Sequence, residues 1–107
     1  MRSASTPTFT AMALDIQHED DGKRGAHYVP GADGTRAAVM TYVRAGATRI
    51  IVDHTHVDDS LRGQGVGRAL LDATADMARA EGIKVTATCP FAKAQLEKYA
   101  EAYGDVT

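Results

Sequence analysis

The chain has 107 residues, 44% of them hydrophobic, and a formal net charge of −2 from 12 basic and 14 acidic side chains. That length fits one domain with a modest core. The interspersed charges and few aromatics offer nucleic acid no basic patch, and no apolar run approaches the ~18 residues of a membrane span.

Residues 1–12 are rich in Ser and Thr and lack the apolar stretch of a secretory signal. They are expected to form a flexible tail, with Met12 an alternative start, ahead of a single domain over residues 13–107. Leu14 and Ile16 alternate with Asp15 and Gln17, so a strand is predicted over residues 13–19, followed by a turn over 20–23. Ala26, Tyr28 and Pro30 mark a second short strand, and a turn over 31–34 leads to a third over 37–43. The fourth is predicted over 49–57, where Ile50, Ile51 and Val52 are apolar on both faces, as in a central strand covered on both sides. His18 and His27 read as surface positions.

The period then changes. Val66, Leu70, Ala73 and Met77 recur at helical spacing opposite Arg68, Asp72, Asp76 and Arg79, and Gly82 is suited to end that helix. A fifth strand is predicted over 83–88 and a second helix over 91–103, on which Tyr99 and Tyr103 read as packing residues. Four strands, helix, strand, helix describe an α+β fold: a mostly antiparallel sheet of about five strands, one β-α-β crossover and a C-terminal helix.

The run Arg62-Gly63-Gln64-Gly65-Val66-Gly67 opens the first helix. Its glycines let the backbone turn tightly, and the unpaired N–H groups of a helix start attract anions, with Arg62 adding a cation. A pyrophosphate site follows. A P-loop is excluded because no Gly-Lys-Ser/Thr follows, and the dinucleotide fingerprint needs a glycine where Arg68 stands. The remaining pattern, Arg/Gln-x-x-Gly-x-Gly/Ala, resembles the coenzyme A signature of the GNAT N-acyltransferases, matched by Arg62, Gly65 and Gly67. The likeness extends through Val57 to Leu71, the flanking Ile50 to Thr55, and Cys89-Pro90-Phe91, and it covers roughly residues 16–104. The chain is similar to the small single-domain subfamily of predicted N-acetyltransferases.

This resemblance implies a cytoplasmic N-acetyltransferase that uses acetyl-CoA as co-substrate, without a metal, and modifies a primary amine. Implied cofactor contacts are Val57, Arg62, Gly63, Gln64, Gly65, Val66, Gly67 and Arg68. In the superfamily a splayed or bulged fourth strand presents a backbone N–H to the thioester carbonyl; here that strand ends at His54 to Val57. The rival reading is a non-catalytic CoA or acyl-CoA binding module. A protein-interaction domain using the glycines only as a turn is a third reading.

Two residues are singled out for chemistry. Cys89 precedes Pro90, which suits the first helical position, so its thiol is expected at a helix N-terminus, where the thiolate is favoured. It is a candidate nucleophile, leaving-group acid or cofactor contact, as against an inert buried thiol. His54 and His56 lie two apart on a strand and share a face. Either suits a general base, and the subfamily likeness falls on His54. His54-x-His56 lacks a third metal ligand. Larger relatives carry one or two helices between the first two strands, and continue past the second helix with a final strand pair; here a short turn joins the strands. The uncovered acceptor side favours a protein lysine or polyamine over an enclosed metabolite.

Overall fold

The computed structural model describes residues 15–31 and 34–107. Its elements are β1 (Gln17–Asp20), β2 (Arg24–Pro30), β3 (Arg36–Arg44), β4 (Arg49–Val57), a 3-10 turn (Asp59–Leu61), α1 (Val66–Glu81), β5 (Lys84–Ala87), α2 (Pro90–Lys98) and α3 (Ala100–Tyr103). The strands form one sheet in sequence order. β1 to β4 pair antiparallel, and β5 joins β4 in parallel across α1. This is the expected α+β architecture with one crossover.

Alternation along β3 sets the layers. Ala38, Met40 and Tyr42 are fully buried, whereas Val39, Thr41 and Val43 are only half-buried. The buried set packs with Leu70, Leu71 and Ala75 of α1, Val85 of β5, Ala92 of α2 and Tyr103 of α3 in one core. Helix-to-helix contacts put all three helices on one face of the sheet: Arg68 and Arg79 of α1 bond the Tyr103 hydroxyl and the Ala102 carbonyl of α3, and Phe91 of α2 lies against Gly67 of α1. The expectation of cover on both faces of β4 is therefore corrected: Ile50 and Val52 are buried, but Ile51 looks to the other, helix-free face and stays partly exposed.

The crossover helix ends as its glycine demands. Gly82 adopts φ 71°, its N–H bonds the Arg79 carbonyl, and the Ile83 N–H reaches back 3.0 Å to the Ala78 carbonyl. At the other edge, Gly25 lies under the Tyr42 ring, and a Cβ there would land on the Tyr42 hydroxyl.

Three further expectations change. The first strand begins at Gln17 and runs to Asp20; Ala13, Leu14 and residues 1–12 lie outside the described residues. The C-terminal helix is broken at Tyr99 (φ −113°, ψ 44°), which ends α2 and precedes α3. His27 is buried, at 4% exposure, because β1 covers the edge of β2: its ring stacks on His18 at 4.3 Å and its Nδ1 lies 2.9 Å from Thr74 Oγ1.

Candidate functional site

The site grows from an irregularity in β4. Thr41 pairs with His54 but the next residue, Tyr42, pairs with Val52, so Asp53 is an extra residue. Such a bulge reverses the alternation of everything beyond it. Thr55 and Val57 thereby join Ile50 and Val52 on the helix-bearing face, while His54 and His56 turn to the helix-free face. Asp53 turns there as well, accepting a 2.5 Å hydrogen bond from Thr41 Oγ1.

The bulge also coincides with the end of a neighbour. β5 pairs with β4 only from Arg49 to Val52, and the Val52 carbonyl takes the N–H groups of both Thr88 and Cys89. Past that point the chain turns away into α2, and among the described residues no strand pairs with residues 53–57 on that side. Asp58 N–H bonds Ala37 of β3, so by alternation the backbone groups of Thr55 and Val57 point toward the bare edge.

On the helix-bearing face a cleft of about 470 Å³ opens against this edge. Thr55 and Val57 form its floor, Leu61, Arg62, Gly63 and Gly65 its rim, Val66, Gly67 and Arg68 of α1 one wall, and Phe91 and Gln95 of α2 the other. Gly63 (φ 80°) and Gly65 (φ 74°) adopt the left-handed conformation that side chains resist, with open space where a Cβ would stand. Gly67 differs: a Cβ there would stand 2.6 Å from Phe91 Cζ, so this glycine lets α2 approach α1.

The loop and the start of α1 thus present backbone N–H groups and the positive helix end to one cleft. Arg62 stands at the mouth, largely exposed and paired with Asp59 at 2.9 Å. Arg68 is held firmly. Its Nε donates to the Tyr103 hydroxyl at 2.7 Å, its guanidinium lies 3.9 Å above the Tyr99 ring, and the Tyr103 hydroxyl donates to Asp72 at 2.6 Å. Burial, together with that bond to Asp72, raises the Tyr103 pKa to about 12, so it remains a donor. The tyrosines do pack, and they also aim a cleft arginine.

Of the eight cofactor positions named from sequence, Val57, Arg62, Gly63, Gly65, Val66, Gly67 and Arg68 line this cleft. Gln64 turns back, donating to the Ser60 carbonyl at 3.2 Å. Sequence reasoning missed Thr55, Leu61, Phe91 and Gln95 as cleft residues. The neighbours of Cys89-Pro90 were a signal for Phe91, but its contact with Gly67 needs the packing of two helices.

Cys89 occupies the N-cap of α2 with Pro90 after it, as its neighbours predict. Its thiol is buried and lies 3.3 Å from Thr55 Oγ1, just behind the cleft floor. His54 is exposed on the opposite face of the sheet. The two residues singled out for chemistry are not brought together: the strand lies between them. Beside His54, His56 Nε2 lies 2.9 Å from Asp58 Oδ1. That helix-free face also carries a depression of about 430 Å³ over Ala26, bordered by Glu19, Arg24, Arg36, Thr41 and Asp53.

Comparison with known proteins agrees with this fold. The family model described as GCN5-related N-acetyl-transferase matches residues 27–106. A GCN5-like protein from Staphylococcus aureus, solved by NMR in solution, is 38% identical with a TM-score of 0.70, over 87% of this chain and 86% of that one. Protein NATD1 from Gallus gallus is 34% identical over 74 residues, which are 69% of this chain and 67% of that protein. A ribosomal-protein-alanine N-acetyltransferase from Brucella melitensis shares the fold, with 24% identity and a TM-score of 0.59 over 74% of this chain and 62% of its own.

Proposed function

The chain belongs to the GCN5-related N-acetyltransferase family, and we propose that it binds acetyl-CoA in the cleft and passes the acetyl group to a primary amine on the helix-free face. The observation that carries this reading is the bare edge of β4. It is the place where the cleft on one face of the sheet meets the face that holds the histidines.

In this reading the glycine loop and the start of α1 hold the pyrophosphate, with Arg62 and Arg68 as its cations. The acyl arm runs along Thr55 and Val57, and a backbone N–H of that edge steadies the thioester carbonyl as charge develops on it. Cys89, behind the floor, donates its thiol hydrogen to Thr55 Oγ1 and so serves the departing sulfur through Thr55. His54 faces the arriving amine. The acceptor is an exposed amine, a protein lysine or a polyamine, because among the described residues only a turn of three joins β1 to β2 and no helix covers the acceptor side. The site works in the cytoplasm without a metal.

The test is release of CoA thiol from acetyl-CoA with a lysine-containing peptide, spermidine or a small amino sugar. Amine-dependent release above hydrolysis, favouring the peptide or spermidine, is expected. Tight CoA binding with no amine-dependent release would leave a binding module in its place.

A further inference from the structure

We infer that His56, oriented by Asp58, is the general base of the transfer; this rests on the reading of the chain as an acetyltransferase. The bulge at Asp53 sends both β4 histidines to the helix-free face, but only one is held. His56 Nε2 lies 2.9 Å from Asp58 Oδ1, whereas the His54 ring makes no hydrogen bond or ion pair among the described residues. A carboxylate only accepts, so Nε2 carries the hydrogen and Nδ1 keeps its lone pair free for a proton. Fixing tautomer and ring plane through a carboxylate is how an imidazole is made ready as a base.

Asp58 is itself anchored at both ends of its backbone. Its N–H bonds the Ala37 carbonyl at 2.8 Å, and its carbonyl accepts from Leu61 N–H at 2.9 Å, closing the 3-10 turn that leads into the glycine loop. The orienting carboxylate and the cofactor loop therefore share one rigid turn. His56 also lies between Thr55 and Val57, the two residues that line the cleft floor on the other side of the strand. About half of each side chain in the pair is exposed, so an amine can reach it.

An ammonium gives one proton to His56 Nδ1, and the freed nitrogen pair attacks the thioester carbon, forming C–N and moving the π pair to oxygen. Collapse restores C=O and breaks C–S, with the pair leaving on sulfur. The second nitrogen proton reaches that sulfur to give free CoA, and His56 returns its proton to water. No oxidant or metal enters.

The experiment measures CoA thiol release with a lysine-containing peptide and with spermidine, beside calorimetric affinity for CoA. His56→Ala should lower kcat about a hundredfold, leave CoA affinity within twofold, and regain activity with added imidazole. Asp58→Asn should lower kcat about tenfold with KM for acetyl-CoA unchanged, since the asparagine keeps the backbone bonds but not the charge. Full activity in His56→Ala, or imidazole rescue of His54→Ala in its place, overturns the assignment while leaving the acetyltransferase intact. A wild-type protein that acetylates no amine overturns the acetyltransferase reading and this inference with it.

Discussion

Phe91 rests directly on Gly67: the ring edge lies 2.6 Å from where a Cβ of that residue would stand. The contact fixes the width of the cleft between the starts of α1 and α2. Gly67→Ala should therefore displace Phe91, costing about 1–3 kcal/mol of stability and weakening CoA binding. Adding Phe91→Ala should recover part of the stability without restoring affinity. A melting curve and a CoA titration of the single and double variants check this; an unchanged Gly67→Ala would mean the helices part without cost.

Gly65 should behave differently. Open space surrounds its missing side chain, so Gly65→Ala meets no atom, but it must hold φ 74°. The expected cost is about 1–2 kcal/mol from backbone strain, with CoA affinity falling as the loop relaxes. Chemical denaturation and CoA titration of Gly65→Ala check both effects.

Tyr103→Phe removes the hydroxyl that links Arg68 to Asp72. The expected loss is about 1 kcal/mol of stability, with a rise in the dissociation constant for CoA because Arg68 is no longer aimed. Dephospho-CoA and CoA titrated side by side would show which phosphate Arg68 serves. An unaltered affinity would confine Tyr103 to the core.

Buried His27 makes stability depend on acid. Burial, and then the neighbouring His18, lower its pKa from 6.5 to about 4. Below pH 6.5 the unfolded chain takes up a proton that the folded chain refuses, so this contribution is complete above pH 6.5 and is lost as pH falls toward 4. Allowing for residual solvent screening, it amounts to roughly 2 kcal/mol. Urea midpoints at pH 7.5 and 4.5 should differ accordingly, and His27→Gln should narrow the gap. An equal gap in the variant would assign the acid sensitivity elsewhere.

Much of this architecture is legible in the sequence because it follows from local patterns. Alternation in β3, the helical period of α1 and the stop at Gly82 each express one element's own chemistry. The glycine run marks the cleft for the same reason. What the sequence does not carry is the bulge. Read as a regular strand, Ile50, Val52, His54 and His56 share one face; the extra Asp53 divides them and sets His54 against Cys89 across the sheet. His27 looks like a surface residue until β1 is laid over it, and Tyr99 continues a helix until its ring stacks on Arg68. These are properties of pairs distant in sequence, and no window along the chain contains them.

Acetyl-CoA held in the cleft over the glycine loop should stabilise the fold against heat. At about a hundred times its dissociation constant a ligand adds roughly 2.7 kcal/mol, which for a domain of this size raises Tm by about 10 °C or more. Acetyl-CoA and CoA should produce that shift in the wild-type protein and a much smaller one in Gly65→Ala, while NAD and ATP should do little. Equal shifts with all four nucleotides, or an undiminished shift in Gly65→Ala, would contradict the assignment.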